Sequence, residues 1–118
     1  MSSDLEIVWL AGLLEGEGYF CLDRHQRGGG RHRPSVEVGI EMSDEDVVRR
    51  AALTMNSNVR YRKPRKLNHK PTWVATARGQ KAVDVMTLVH EHMGERRSAR
   101  IAELLSMENL SHHPKATV

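Results

Sequence analysis

Cysteine, proline and aromatic side chains are all scarce in this chain of 118 residues. The single cysteine, Cys21, excludes an internal disulfide and a cysteine-rich zinc module. No apolar run reaches the length of a membrane-spanning helix, and the first residues lack the basic segment that opens a signal peptide. We therefore expect a protein that does not bind a membrane, is not secreted and works inside the cell, in the cytoplasm or an organelle.

Acidic residues are missing from one long segment, because no Asp or Glu occurs between Val47 and Val83. The net charge of the chain is only +3. Basic residues are thus concentrated in particular segments, and the chain as a whole has only a small excess of positive charge. A segment that carries only positive charges can neutralise phosphate groups, so this one predicts a nucleic-acid partner. The alternative is a charged surface that is simply exposed to solvent. The segment holds ten basic residues, and a second basic run precedes it: Arg49, Arg50, Arg60, Arg62, Lys63, Arg65, Lys66, Lys70, Arg78 and Lys81, then Arg24, Arg27, Arg31 and Arg33.

The segment LAGLLEGEGYF, residues 10–20, places two glycines and two carboxylates at the end of an apolar helix. Gly12 and Gly16 are one turn apart on the same side, so a second helix can approach the backbone closely there. Glu17 falls at the end of the helix. Two packed copies of this helix would bring two Glu17 carboxylates side by side, which is unfavourable unless a cation lies between or beside them. The arrangement predicts a homodimer with a divalent metal site.

This segment resembles the LAGLIDADG motif of homing endonucleases, with Glu15 and Glu17 at the positions of the two aspartates. The resemblance covers the whole motif. It implies that Glu17 is the catalytic carboxylate and, with Gly16, holds Mg²⁺, whereas Glu15 has a structural role. It also implies that the helix packs against its copy through a dimer interface made of Leu10, Ala11, Gly12, Leu13 and Gly16.

Hydrophobic periodicity predicts the order helix, strand, strand, helix, strand, strand, helix, helix. Helix 1 starts at the capping residue Ser3 and runs to about Glu15, the strands of the first hairpin cover residues 19–26 and 34–41, and Ser43 caps the second helix. The last two helices cover residues 80–92 and 96–107. We expect an α+β, αββαββα homing-endonuclease-like domain over residues 1–108, with a four-stranded antiparallel sheet and helices packed on one face. Residues 109–118 are expected to form a flexible tail.

The other face of the predicted sheet should be open and polar. A DNA major groove admits a β-ribbon, and the resemblance implies that this face reads double-stranded DNA. Alternation along the strands predicts the base-facing residues, whereas basic residues in the second hairpin loop should contact phosphates and Arg27 and Arg31 should add further DNA contacts. The base-facing set is Asp23, His25, Arg33, Ser35, Glu37, Arg60, Arg62, Thr72, Val74 and Thr76, and the loop set is Lys63, Arg65, Lys66 and Lys70.

Two further catalytic positions follow from the resemblance. The family tends to have a lysine between the last two helices, where this chain has Arg96 and Arg97. An arginine stays charged, so electrostatic stabilisation of the transition state is the role open to it. The family also often has a glutamine at the end of strand 2 to order water. This chain has Glu41 and Met42 there, so Glu41 is the candidate and the water-ordering role departs from the pattern.

The sequence thus predicts a sequence-specific, Mg²⁺-dependent homing endonuclease of the kind that mobilises an intron or intein. It would cut both strands of a long pseudo-palindromic DNA site as a homodimer, in whichever nucleoid or organelle contains that DNA. Two alternatives stay open on the same fold: a DNA-binding regulator that has lost cleavage, and a maturase that binds RNA and assists splicing. The acid Glu17 favours the nuclease over the regulator, whereas the basic composition does not distinguish DNA from RNA.

Overall fold

The computed structural model describes residues 3–23 and 34–111, in which helices cover one face of a four-stranded antiparallel sheet. The α+β class and the αββαββα order are confirmed, and so is the additional helix predicted at the end. In chain order the elements are α1 (Asp4–Glu17), β1 (Gly18–Asp23), β2 (Ser35–Met42), α2 (Glu45–Met55), β3 (Val59–Arg62), β4 (Thr72–Arg78), α3 (Gln80–Val89), a single 3-10 turn (His90–His92) and α4 (Glu95–Ser111).

The sheet has the strand order β1-β2-β4-β3, so the two hairpins meet at its centre through β2 and β4. All neighbouring strands are antiparallel. Gly39, in the middle of β2, pairs with Tyr19 on β1 and with Thr76 on β4. Because side chains alternate between the two faces of a strand, this register aligns residues from three strands in rows across each face.

Helix ends agree with the predicted signals at α1 and at the end of α2. The Ser3 hydroxyl accepts a hydrogen bond from the Glu6 N–H at 3.2 Å, and Asn56 ends α2 in the left-handed region at φ 57°. The start of α2 differs from the prediction: Asp44, and not Ser43, is the N-cap, because the Asp44 carbonyl accepts the first helical bond, from Val48 at 3.1 Å.

The core lies between the helices and the inner face of the sheet. From α1 it takes the stripe Ile7, Leu10, Ala11 and Leu14, on the helix that packs against β1 and β2. Below these lie Val36, Val38 and Ile40 of β2, and α4 contributes Ile101 and Leu104, all of them fully covered. Within the described ranges, no helix is both long and apolar enough to cross a lipid bilayer.

Several predicted boundaries shift. The helix predicted over residues 80–92 ends at Val89 and tightens into the 3-10 turn, and α4 continues to Ser111, past its predicted end at residue 107. α1 likewise continues through Glu17. The described part of β1 stops at Asp23, so the predicted glycine-rich tip of the first hairpin lies outside the described residues, as do residues 112–118 of the predicted tail.

Leucine truncation tests this packing. Leu104 is fully buried, so Leu104→Ala should lower the free energy of unfolding by about 2–5 kcal/mol through lost apolar contact and a residual cavity. The matched control is Leu53→Ala on α2, because Leu53 is 82% exposed and its loss should change stability by no more than about 0.5 kcal/mol. Urea denaturation at one fixed protein concentration measures both, and equal losses would contradict the assigned core.

Candidate active site and nucleic-acid interface

The end of α1 is joined to the start of α4 by Glu15. One Glu15 oxygen accepts a hydrogen bond from the Gly94 N–H at 2.8 Å, and the other lies 3.9 Å from Arg97 Nε. Gly18 then turns the chain from α1 into β1; a Cβ at this residue would lie within 3 Å of Leu14. Glu15 therefore makes structural contacts, as the resemblance implied.

Glu17 is exposed at the last position of α1. Among the described residues it has no hydrogen bond or ion pair, so both of its carboxylate oxygens remain able to bind a ligand. Those residues also contain no group of three or more His, Cys, Asp or Glu side chains that could hold a metal ion. A metal at Glu17 would therefore need ligands from outside this set.

Arg96 and Arg97, the two arginines predicted to be catalytic, both lie near the end of α1, but they differ in their contacts and exposure. Arg97 donates from Nη1 to the Gly18 carbonyl at 2.8 Å, and its guanidinium lies 5.8 Å from the centre of the Phe20 ring. Its side chain is only 18% exposed, so it fixes the α1–β1 junction. Arg96 is exposed and, with Arg97 and Arg100, lines a cleft of about 440 Å³ beside the first residues of β1.

Glu41, predicted to be catalytic, lies on the open face of the sheet. Its carboxylate accepts hydrogen bonds from the Thr72 hydroxyl at 2.6 Å and from Arg62 Nη1 at 3.1 Å. Both partners belong to the second hairpin, so these contacts direct the carboxylate toward β3 and β4. They give the predicted catalytic role of Glu41 no support, and they show instead that Arg62 is held by a carboxylate.

The open face contains the residues that alternation predicted, as far as the structure describes them. The strand register puts Asp23, Ser35, Glu37, Arg60, Arg62, Thr72, Val74 and Thr76 on this face. Val74 needs a correction: it is only 4% exposed, since it lies in register between Arg60 and Glu41, and it can offer a ligand little surface. His25, Arg27, Arg31 and Arg33, also predicted to bind DNA, lie outside the described residues.

Among the members of this face that sequence reasoning missed, Tyr19 and Arg78 contact Glu37. The Tyr19 hydroxyl donates to Glu37 Oε2 at 2.7 Å and lies 3.4 Å from the Thr76 hydroxyl, while Arg78 Nε donates to Glu37 Oε1 at 2.9 Å. Arg78 Nε also lies 3.3 Å from Asp23 Oδ2. Extending the alternation by one step along β4 and by two steps back along β1 would have found both residues, but not their bonds.

The environment of Tyr19 is unusual for an outward-facing side chain. Burial first, and then the hydrogen bond to the Glu37 carboxylate, raises the pKa of Tyr19 to about 12. The ring lies over Gly39, where an added Cβ would come within 2.7 Å of the ring and 2.8 Å of the Ala75 carbonyl oxygen. Gly39 is thus the residue that lets the ring lie flat across the sheet.

The β3–β4 loop carries the predicted phosphate contacts. Lys63, Arg65 and Lys70 line a shallow pocket of about 330 Å³ together with Glu41 and Arg62 of the open face, and Lys66 is exposed nearby in the same loop. Not all of the acid-free segment belongs here. Arg49 and Arg50 of α2 form ion pairs with Glu45 and Glu6, in the helix layer.

The stripe of α1 opposite its core-facing side is uncovered. Leu5 is 81% and Val8 49% exposed, and a Cβ added at Gly12 or Gly16 would meet nothing within 4 Å. Leu13 lies half-buried at the edge of this stripe. The predicted dimer interface needs a correction: Leu10 and Ala11 are 1% exposed, because they face the chain's own core, so neither can contact another copy.

Comparison with solved structures identifies the architecture. The structure superimposes on the intron-encoded homing endonuclease I-CeuI complexed with DNA with a TM-score of 0.69 and 17% sequence identity, over 93% of this chain and 56% of that one. It matches I-CvuI in complex with its target with a TM-score of 0.72 and 14% identity, over 95% and 71% of the two chains. For the LAGLIDADG homing endonuclease I-SmaMI the TM-score is 0.61 at 16% identity, over 92% and 40%. The chain has the fold of the LAGLIDADG homing endonucleases.

Sequence comparison adds one relative and no family model. The intron-encoded RNA maturase bI4 of Saccharomyces cerevisiae is 33% identical over 54 residues, which are 46% of this chain and 8% of the maturase. No protein-family model matches the chain. The chain thus spans about half the length of I-CeuI and a small part of the maturase. On the LAGLIDADG fold, the motif residues Glu15 and Glu17 occupy the end of α1, directly before β1.

The close approach of Tyr19 to Gly39 predicts a clear penalty for a single methyl group. Gly39→Ala should destabilise the fold by about 1–3 kcal/mol, because the Cβ displaces the ring and crowds the Ala75 carbonyl. Ser35→Ala, on the same strand and face, adds no Cβ and should stay within about 0.5 kcal/mol of the parent. Thermal unfolding followed by circular dichroism compares them; a Gly39→Ala protein as stable as the parent would contradict the assigned position of the ring.

Proposed function

We propose that this chain is a sequence-specific endonuclease that hydrolyses phosphodiester bonds of double-stranded DNA with a divalent metal ion. The observation that carries the proposal is the state of Glu17. Its neighbour Glu15 is held by Gly94 and Arg97, whereas Glu17 is exposed at the same helix end with no hydrogen bond or ion pair among the described residues. A carboxylate with both oxygens available, beside an arginine-lined cleft, suits metal-assisted cleavage of a phosphodiester.

Duplex DNA is the substrate that the surface fits best. The open face of the sheet carries polar and charged side chains, and the adjoining β3–β4 loop is basic and exposed. Base edges in a major groove and the phosphates beside it require these two kinds of surface. I-CeuI and I-CvuI, which share the fold, were solved in complex with DNA, which supports the same class of ligand here.

The donor set at the end of α1 fits a hard divalent cation such as Mg²⁺. Glu17 supplies carboxylate oxygens and Gly16 a backbone carbonyl, and oxygen ligands of this kind suit Mg²⁺. When bound, the ion would supply an activated water and stabilise the leaving oxygen. Structures of I-CvuI on DNA were determined with calcium and with magnesium, which supports a divalent ion.

The two neighbouring arginines have different roles. Arg97 holds the Gly18 carbonyl and faces Glu15, so it positions the helix end that carries Glu17. Arg96 is exposed on the cleft and can contact the phosphate group undergoing attack. Because a guanidinium keeps its charge, Arg96 would stabilise the negative charge that develops on the phosphate oxygens.

We further propose that the active form is a homodimer joined through α1. One chain supplies one Glu17, and cutting both strands requires two. The exposed stripe of Leu5, Val8, Gly12 and Gly16 offers apolar side chains and space for a close helix approach. A two-fold axis through this stripe would bring two Glu17 residues together and would favour a pseudo-palindromic site.

A maturase that binds structured RNA is the second candidate, and one observation favours it. The chain shares 33% identity over 54 residues with the yeast maturase bI4. The exposed, uncommitted Glu17 favours the nuclease, because assistance to RNA folding requires no metal-binding carboxylate at this helix end. A regulator that binds DNA without cutting is distinguished from the nuclease by the Glu17 experiment.

Glu17→Gln should abolish cleavage and preserve DNA binding. The amide keeps the shape of the side chain but loses the charge that holds a divalent ion, and the loss of a negative charge near phosphate favours binding. The protein is incubated with Mg²⁺ and a pool of random duplexes, and the ends produced by cleavage are then sequenced. Glu45→Gln, in the helix layer, is the control and should cut like the parent.

This experiment, together with a comparison of binding to duplex DNA and to structured RNA, separates the candidate functions. Parent protein that binds duplexes but produces no ends would indicate the regulator, and selective binding of structured RNA over duplex DNA would indicate the maturase. Cleavage by Glu17→Gln at the parent rate would refute the catalytic assignment of Glu17.

Gly12→Leu should convert the homodimer to a monomer. A leucine at Gly12 fills the space into which a second helix would pack, whereas the single chain has no atom there for it to strike. Sedimentation equilibrium measures the mass of each protein. Ala102→Leu, which adds a similar apolar side chain on the exposed side of α4, should leave the mass unchanged. A dimer of undiminished affinity with Gly12→Leu would place the interface elsewhere.

A further inference from the structure

The open face of the sheet has different charge at its two ends. At the β3 edge, Arg60 and Arg62 adjoin the basic β3–β4 loop. At the opposite end, around β1 and the end of β4, two carboxylates, Asp23 and Glu37, surround the single guanidinium of Arg78. In this second group, which we term the Arg78 cluster, the two carboxylates beside the guanidinium weaken its attraction for phosphate.

Glu37 is the buried centre of the Arg78 cluster. Although it points to the open face, the residue is only 9% exposed. Its Oε2 accepts from the Tyr19 hydroxyl and its Oε1 from Arg78 Nε, so each oxygen has one donor. Loss of either partner would leave a buried carboxylate oxygen without a hydrogen bond, which costs considerable free energy. The two bonds therefore hold the Glu37 carboxylate in one position. Glu37 is thus a fixed anchor, and not itself the group that meets a ligand.

Tyr19 fixes the anchor in place. Its ring crosses the middle strand over Gly39, and its hydroxyl lies between Glu37 and Thr76. The phenol remains protonated over the whole physiological range, since burial raises the pKa of Tyr19 to about 12. It therefore acts as a permanent donor to Glu37. Three strands are joined by this one side chain and its partners.

Arg78 is the exposed member of the cluster. Its side chain is 42% exposed, against 12% for Glu37 and 16% for Asp23. Nε donates the hydrogen bond to Glu37 and lies 3.3 Å from Asp23 Oδ2. The bond to Glu37 does not use the two terminal nitrogens, and it orients the planar guanidinium. A fork fixed in advance loses little side-chain entropy when it binds.

We propose that Arg78, oriented by Glu37, Asp23 and Tyr19, is a sequence-reading residue that donates two hydrogen bonds to a guanine in the major groove. The inference rests on the proposed function as a duplex-DNA-binding protein and deepens it. Guanine presents O6 and N7, two acceptors at the spacing of the guanidinium fork. The surrounding carboxylates disfavour phosphate, so the charge of the cluster directs Arg78 to base edges.

Arg62 is the other arginine on the open face that pairs with a carboxylate, and it lacks these features. Arg62 and Glu41 are 42% and 36% exposed, and the pair adjoins the basic loop, with no aromatic ring packed over it. Solvent competes with such an exposed pair, so its geometry is held weakly. Arg78 is therefore the more strongly oriented of the two forks.

The test compares sequence preference with overall affinity. Full-length protein is first used to select its binding site from a pool of random duplexes, without Mg²⁺ so that no site is cut. Binding of the parent, Arg78→Ala and Arg78→Lys is then measured against every single-base-pair variant of the selected site, over a range of salt concentrations.

Arg78→Ala should lose preference for guanine at one base pair for each bound chain, by about 5- to 150-fold. Arg78→Lys keeps the charge but has no planar fork, so it should lose most of the same preference while its salt dependence stays that of the parent. Arg49→Lys is the matched control, because Arg49 also pairs with a glutamate but lies in the helix layer; its profile should be unchanged.

Tyr19→Phe tests the positioning role separately. It keeps the ring over Gly39 and removes only the donor to Glu37, so guanine preference should fall at the same base pair and by less than in Arg78→Ala. A purely structural role of the hydroxyl would instead reduce thermal stability and leave the base profile intact.

The outcomes distinguish this inference from the proposed function. If the parent selects a site and the Arg78 variants weaken binding to all sequences alike, or keep the guanine preference, Arg78 does not read sequence and the proposed function is unaffected. If the parent selects no duplex at all, the proposed function fails first. Circular dichroism verifies folding, and Arg78→Lys carries the test if Arg78→Ala does not fold.

Discussion

Burial of one side of α1 against the sheet determines which side of this helix is exposed and where its end lies. Ile7, Leu10 and Leu14 are covered by the chain's own core, which forces the opposite stripe of the same helix outward. The helix is apolar on both sides, and only one side finds a partner within the described chain. The same burial fixes the direction in which α1 ends, and hence the place where Glu17 is presented beside the first strand.

Paired charges, more than free ones, characterise the surface opposite the helices. Glu37 and Glu41 each hold an arginine and a hydroxyl from neighbouring strands. These pairs join β2 to its neighbours through side chains as well as through the backbone. An arginine fixed by a carboxylate presents a defined geometry, whereas a free arginine presents mainly charge. The open face therefore presents hydrogen-bonding groups in fixed positions, and the adjoining β3–β4 loop supplies positive charge.

The sequence predicts what depends on periodicity and on a distinctive motif. Alternation along β2 and β4 assigned the faces of Glu37 and Thr76. The motif then identified which helix end carries the acids. These features are local in sequence, because a strand or helix fixes the direction of its own side chains.

Contacts between distant segments were beyond sequence reasoning. Nothing in the pattern around Tyr19 indicates that its hydroxyl meets Glu37, since the pair depends on the register of two strands and on the missing side chain of Gly39. The interface assigned from the motif included Leu10 because a motif read as a string does not separate the two sides of its helix. Asp44 replaced Ser43 as the cap because both residues suit that position and only the backbone geometry decides.

The bond from the Gly94 N–H to Glu15 joins residues 79 positions apart, as does the bond from Arg97 to Gly18. The motif is translated before the segment that holds its end in place, because that segment lies 79 residues further along the chain. During synthesis, α1 therefore first exists without the contacts that hold Glu15 and Gly18. The helix end acquires its final geometry only when the start of α4 has been made and has packed against it.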